Sequence, residues 1–323
     1  VSWLAVPWLA VPWLLVAPLV VAQLAFHTRR TGPSPVLWAV AVLPHLTIVA
    51  AAAVALALAQ RQTPAIVATA LVLAGQFAAL APAVATDLRP DSPSAPADAP
   101  TLRVVFANLY RHNAQLDDAL RAVARRGADV IVLDEAGAVD VPALERSGLA
   151  AAYPFTVPID RVGVGIVVRS RLALRVPDGY GGRRFPDLVV DVGTPGAARE
   201  ARLVAVHVRS PVGETTAAQW KDQFALLGRQ LASDARPGLV IGDFNATRWN
   251  GPYRRLLGAW RDVHDDLGDP WSASWPADRW FPPVVRLDHA LVRGPLVARA
   301  VRTLTVPGSD HRGLEVDLAL GPG

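Results

Sequence analysis

In the first 86 residues of this chain the only charged side chains are Arg29, Arg30 and Arg61. The stretches around them, Val1–Phe26, Val36–Ala59 and Ala65–Ala85, are almost wholly apolar. Each comes near the ~20 residues that a helix needs to cross a bilayer. Helices of a soluble domain keep a polar face, and these stretches have none. A cleaved signal peptide accounts for the first stretch only, and no small-residue cleavage site follows it. The expectation is a transmembrane region of three helices, roughly 1–26, 36–59 and 65–85, making the chain a multi-pass protein of the cell membrane whose first partner is the lipid bilayer. The first stretch repeats Trp-Leu-Ala-Val-Pro, which spaces Trp3, Trp8 and Trp13 five residues apart. Tryptophan favours the lipid interface, while Pro7, Pro12 and Pro18 interrupt the helical pattern. The loop with Arg29 and Arg30 outweighs the loop with Arg61 by one charge. By the positive-inside rule this puts the first loop and the C-terminal part in the cytoplasm.

The character of the chain changes at residues 87–100, where four prolines stand among small and acidic residues, the composition of an extended linker. From residue 101 to 323 short β-rich runs recur: 102–107, 130–133, 164–168, 188–192, 202–208, 239–241, 289–292 and 314–318. Helical patterns fall between some of them. Leu116–Arg126 starts on an acidic turn and stops at Arg-Arg-Gly, and Thr216–Ala232 is a second. Strands alternating with helices predict a layered α/β domain. Formal net charge is +4, and the basic residues gather into nothing longer than pairs such as Arg125-Arg126, so no nucleic-acid stripe is evident. The absence of Cys excludes disulfides and thiolate metal sites. There is no Met either, so Val1 stands at an alternative start codon or downstream of missing residues.

The chemistry lies at the ends of the apolar runs. Val104–Ala107 leads to Asn108, Val130–Leu133 to Asp134 and Glu135, and Leu203–Val206 to His207. Leu239–Gly242 leads to Asp243 and Asn245. Leu287 precedes Asp288, and Gly308-Ser309 precedes Asp310 and His311. One polar residue at a strand end is ordinary turn chemistry. Six such ends in order predict that the polar side chains meet at one rim. Carboxylates, an amide and imidazoles together are the groups needed to hydrolyse a phosphate ester with a divalent metal. Gly242 lets backbone or substrate approach closely.

On these motifs the domain resembles the endonuclease/exonuclease/phosphatase superfamily, which includes deoxyribonuclease I, apurinic endonucleases, neutral sphingomyelinases and inositol polyphosphate 5-phosphatases. Val-Ile-Gly-Asp-Phe-Asn-Ala (240–246), Leu-Asp-His (287–289) and Ser-Asp-His-Arg (309–312) carry most of the likeness. Phe-Ala-Asn-Leu (106–109), Leu-Asp-Glu (133–135) and Val-His-Val (206–208) add to it. The resemblance implies a four-layer α/β sandwich, two packed mixed sheets flanked by helices, with the site at one rim. It implies that Glu135 holds Mg2+, or Mn2+ in its place, with Asn108 and Asp310 nearby. It further implies His311 as the catalytic histidine oriented by Asp288, Asp243 as the residue that orients or deprotonates water, and Asn245 and His207 as donors to the phosphoryl oxygens. Which of Asp243 and His311 activates water stays open. Two positions depart from the family pattern: Asp134 stands where Gln is usual, and Gly313 where Pro is common. Neither removes a catalytic group.

The apolar spans, the linker and this domain together resemble a bacterial membrane-bound branch linked to vancomycin and teicoplanin resistance. That likeness implies a domain outside the membrane acting on polyprenyl pyrophosphates, against the one-charge tally. We favour the outside placement. Trp249, Trp260, Trp271, Trp275 and Trp280 fall between the Asp243 and Asp288 motifs, and Trp271–Pro283 reads either as a rim touching lipid or as packing under a long loop. Three functions stay in view: a lipid-phosphate hydrolase, a nuclease or phosphodiesterase of the same fold, and a non-catalytic membrane-binding module. The last is disfavoured because none of the site residues is missing.

Overall fold

The computed structural model describes residues 8–28, 32–88, 95–138, 141–159, 165–180, 183–193 and 198–321. The Arg29–Arg30 loop, Trp3, Pro7, Val164 and residues 89–94 of the Pro-rich segment lie outside them.

Helix α1 covers Val11–His27, after a short turn of 3-10 helix at Trp8–Ala10. Pro12 sits in its first turn, where no backbone hydrogen bond is lost. The second apolar stretch is not one helix. It forms α2 (Ser34–Ala41) and α3 (Leu43–Ala59), which meet at 85°. Pro44 accounts for the break, because it has no N–H to continue the ladder and its ring disfavours helical backbone ahead of it. Val42, at the corner, has left the helical region with φ −96° and ψ 21°. Helix α4 runs Thr63–Leu88, beyond the expected end at Ala85. By length and composition two of these helices can cross a membrane, Trp8–His27 and Thr63–Thr86, or three spans if the bent pair acts as one. Their packed faces carry small residues, with Ala22, Ala50, Ala53, Ala57, Ala79 and Ala83 buried, as close helix approach in lipid favours. Leu14, Ile48, Leu71 and Phe77 point outward.

The remainder is two six-stranded mixed sheets. Sheet A is built from β1 (Thr101–Asn108), β2 (Val130–Asp134), β3 (Phe155–Ile159), β4 (Ile166–Ser170), β11 (Leu296–Thr305) and β12 (Arg312–Leu320). Their spatial order is β11-β12-β1-β2-β4-β3. Sheet B is built from β5 (Leu174–Arg175), β6 (Asp187–Val192), β7 (Arg199–His207), β8 (Gly238–Asp243), β9 (Arg261–Asp262) and β10 (Asp288–Arg293). Their order is β5-β6-β7-β8-β10-β9. Alternate residues of both sheets, among them Val104, Phe106, Val130, Val132, Leu203, Ala205, Leu239 and Ile241, form the core between them. The outer face of sheet A is covered by α5 (Leu116–Ala124), α6 (Val141–Arg146) and α7 (Leu149–Ala152). The outer face of sheet B is covered by α8 (Glu214–Ala232) and α9 (Gly251–Leu256), with α10 (Val263–Asp266) leading on from β9. Helix α8 turns Ala217, Trp220, Phe224, Leu227 and Leu231 inward at helical spacing. This is the four-layer sandwich expected. The strands the sequence hides are β3 and β11 at the edges of sheet A, and the two-residue β5 and β9. β11 carries Arg299 and Arg302 on partly exposed backbone and lacks a clean alternation.

One topological fact positions the site. Each sheet has a central parallel pair, β1 with β2 and β7 with β8. The register sets Asn108 beside Asp134 and His207 beside Asp243, so both pairs end level. The antiparallel β10 starts at that same level, with Asp288 opposite Asp243.

Helix α2 is fastened to the two-sheet part. Its Leu37 joins the core of the α8 layer. The Asn250 amide donates to the Leu37 carbonyl at 3.1 Å, the Thr247 hydroxyl to the Ala41 carbonyl at 3.2 Å, and the Ser34 N–H to Glu214 at 3.0 Å. Arg254 donates to the Phe26 carbonyl at the end of α1 at 2.8 Å. The tryptophans differ in burial. Trp249 and Trp260 are buried, Trp275 rests 6.1 Å from Trp38 of α2, and Trp280 is 95% exposed.

Gly242 is the tightest point of sheet B. Its φ is +152°, and a Cβ there would overlap the Val206 carbonyl oxygen of β7. The close approach is thus made by backbone. Gly242→Ala is expected to destabilise the fold by ~3 kcal/mol or more, read as a lowered midpoint in denaturant; an unchanged midpoint would contradict the packing of β8 on β7.

Candidate active site

All the strand-end residues singled out in the sequence reach one rim. Asp243, at the end of β8, is the hub. Its Oδ2 accepts from the Asn108 amide at 3.3 Å and the Asn245 amide at 3.0 Å, and its Oδ1 accepts the Asn245 backbone N–H at 2.7 Å. Asn245 has positive φ, +45°, which turns its side chain back on Asp243 and on the Val208 carbonyl at 2.9 Å. Its amide hydrogens therefore hold the hub in place. Glu135 also has positive φ, +51°, directly after β2. One of its oxygens lies 3.4 Å from the Asn108 amide, and the other accepts the Arg111 N–H at 2.9 Å.

The two histidines stand on either side of Asp243. His311 Nδ1 is 2.9 Å from Asp288 Oδ2, and its Nε2 is 3.8 Å from Asp243 Oδ2. His207 Nε2 lies 3.9 Å from both Glu135 Oε1 and Asp243 Oδ2. Ser309 ties the two sheet-A motifs together. Its hydroxyl donates to the Asn108 carbonyl at 2.7 Å and accepts the His311 N–H at 3.0 Å.

Two further residues hold the frame, and strand-end patterning gave no signal for them. The buried Ser274 hydroxyl accepts from the backbone N–H groups of Leu287 and Asp288 at 3.1 and 3.3 Å. The Trp275 indole N–H donates to Asp310 Oδ2 at 3.2 Å. Their place in the tryptophan-rich loop was the only visible cue. Asp310 thus turns its carboxylate toward the loop from 274 to 277, and its carbonyl accepts the Ala277 N–H at 2.7 Å.

The electrostatics follow from burial. Burial pushes the Asp243 carboxyl up to about 8, with Asp288 adding to the rise and His311 opposing it. Burial also lowers His207 to about 4, against the pull of Glu135. For His311 burial alone would lower the ring, but Asp288 and Asp243 outweigh it and raise the ring to about 10.

These donors fit a divalent cation. Ligand atoms of Asp243, Asp288 and His311 all lie within 4.8 Å of one another, the carboxylate oxygens being the ligands while the His311 ring stays charged, and Asp288 Oδ1 is buried with no hydrogen-bond partner among the described residues. Glu135 and Asn108 adjoin Asp243 on the other side, a set rich in the oxygens that Mg2+ prefers. The three-residue group is drawn from residues the resemblance casts as catalytic, while Asp310, cast as a ligand, is held by Trp275.

The profile of the Endonuclease/Exonuclease/phosphatase family matches residues 105–311, more than half of the chain. The chain belongs to this family. It is accordingly a hydrolase acting on phosphoester bonds. Solved structures share the fold of this endonuclease/exonuclease/phosphatase member at low identity. An endonuclease/exonuclease/phosphatase from Beutenbergia cavernae is 20% identical over 69% of this chain and 72% of its own, with a TM-score of 0.50. TDP2 from C. elegans is 14% identical over 69% and 76%, with a TM-score of 0.53. D. rerio TDP2, solved in complex with single strand DNA product, is 16% identical over 68% and 98%, with a TM-score of 0.52. Among curated proteins, none matches the sequence.

The pairing of His311 with Asp288 makes a titration prediction. His311 is raised in the fold, so its contribution to stability is fully present below about 6.5, the unfolded value. It is lost as pH rises through the folded value of about 10. Asp288→Asn removes the largest opposing charge and leaves burial dominant. The His311 ring is then expected to titrate below 10 in NMR of the metal-free chain; a ring that still titrates near 10 would contradict the pairing.

Proposed function

We propose that this chain is a membrane-anchored, metal-dependent phosphohydrolase acting on a lipid-linked phosphate or pyrophosphate of the polyprenyl type, at the extracytoplasmic face. The observation that carries this reading is the seat of α2. One face of this short helix is hydrogen-bonded to the catalytic part, and its C-terminal end turns through 85° into an apolar helix. Trp38 of α2 lies against Trp275, whose indole holds Asp310 of the rim. A bilayer around α1, α3 and α4 would lie directly beside the site. A cavity of about 150 Å3 opens at the corner between α2 and α3, lined by Pro44, His45, Trp249, Trp271, Ser272 and Arg286 among others. That mixture of aromatic and polar walls suits an amphiphile entering from the interface.

Glu135 and Asn108, with Asp243 adjoining, would hold a divalent cation, which when bound would supply polarisation of a phosphoryl oxygen and charge to balance the leaving group. Asp288 fixes the His311 ring by its Nδ1, leaving Nε2 directed into the cleft toward Asp243. The raised charge of His311 makes it a donor to oxygens that gain charge as the bond breaks. Asp243, kept in place by both hydrogen-bonding groups of Asn245, orients the attacking water. His207 turns Nε2 into the same cleft as a further donor.

A nuclease or phosphodiesterase reading is favoured by the fold shared with D. rerio TDP2, which was solved with a single strand DNA product. Full-length chain reconstituted with Mg2+ separates the two when offered polyprenyl pyrophosphate, plasmid DNA and sphingomyelin. Phosphate release from the first substrate is expected, lost with EDTA and reduced at least ~100-fold by His311→Ala. DNA nicking that depends on His311 would overturn the lipid reading.

A further inference from the structure

The mechanism above leaves Asp134 unused. It ends β2 with its side chain between the two sheets, following Val130 and Val132 on the same inward face. It is fully buried, and its oxygens make no well-formed hydrogen bond among the described residues, the Asp243 backbone N–H being only a weak donor to them. His207 Nδ1 is likewise buried and without a partner. These orphaned atoms face each other, with Nδ1 3.9 Å from Asp134 Oδ2. Buried polar groups without partners are rare in folded proteins, and each is costly. A hydrophobic residue of similar shape would pack between the sheets at no such cost.

We infer that Asp134 is a positioning residue for His207: its carboxyl engages ring Nδ1 from the floor of the site and so turns Nε2 out toward Glu135 and Asp243. About 1 Å of ring movement brings the pair to hydrogen-bond length. The rim then holds two Asp–His pairs, Asp288 with His311 and Asp134 with His207, one on each side of Asp243. The arrangement explains why this chain keeps an acid in front of the Glu135 turn. An imidazole with one nitrogen fixed presents the other in a defined direction, as donor roles require. The inference rests on the reading of His207 as a group facing the substrate phosphate.

The test uses the full chain in detergent micelles, labelled with 15N-histidine, with Mg2+ and bis(p-nitrophenyl) phosphate as the probe substrate. Asp134→Leu removes the hydrogen-bonding group and fills the same space. It is expected to melt at or above the parent temperature while kcat falls about tenfold or more with KM little changed. The His207 ring 15N shifts should move with it. Asp134→Asn keeps a group that can bond Nδ1 and should retain kcat within about threefold. In a His207→Ala background, Asp134→Leu should have no further effect on turnover. An Asp134→Leu chain with unaltered His207 shifts, or one that loses turnover equally in the His207→Ala background, would overturn the pairing. A His207→Ala chain with full turnover would instead overturn the substrate-facing role of His207, and the 15N shifts would still decide whether Asp134 holds the ring. Should the Leu variant fail to fold, the shifts of Asp134→Ser read the same point.

Discussion

Four carboxylates, those of Asp134, Glu135, Asp243 and Asp288, are brought to one rim and largely buried there. Their burial, with repulsion between them added, is the constraint to which the rest of the site answers. Burial, with the neighbouring carboxylates adding to it, drives Asp243 up to about 8 and Asp134 well above its usual range. His311 supplies one compensating charge, and Asn108 and Asn245 supply neutral donors to Asp243. A divalent cation held there would complete the balance, and its affinity would then depend on the strand register rather than on any single ligand. The register in turn depends on two parallel strand pairs that end level and on Gly242, which lets β8 lie close against β7.

The helical part extends this rim. Because Pro44 breaks the second apolar stretch, α2 is free to lie on the catalytic part while α3 departs at 85°. Side chains from the Asn245–Arg254 segment hold α2 and the end of α1 by their carbonyls. The same segment follows directly from the Asp243 motif. The loop carrying Ser274 and Trp275 then links α2 to Asp288 at the start of β10 and to Asp310 in the turn ahead of β12. The N-terminal apolar helices and the strand-end residues are therefore joined through direct side-chain contacts.

Much of this was legible before any coordinates. Strand-end polarity found the rim, since Asn108, Glu135, His207 and Asp243 follow apolar runs, whereas Asp288 and His311 precede them. That polarity reflects strand direction: the first four end parallel strands or the turns after them, and the last two open antiparallel ones. The break at Pro44 was written in the sequence but masked by the uniform apolarity around it. The edge strand β11 was hidden because its Arg299 and Arg302 face away from the core. The frame residues Ser274 and Trp275 were illegible, since their role lies in contacts to residues distant in sequence. Asp134 stood out only as a departure from the family pattern, and its partner, His207, became visible with the packing of the two sheets.

The central claim is that this rim works on substrates held in the bilayer that holds the chain. It is tested most directly by reconstituting the full chain into vesicles with Mg2+ and comparing polyprenyl pyrophosphate in the same vesicles with the same lipid in separate vesicles. The account predicts turnover at least ~10-fold faster when enzyme and lipid share a bilayer, because confinement raises the effective concentration. Equal rates for the two arrangements, or hydrolysis of a soluble short-chain pyrophosphate at the same efficiency, would contradict it.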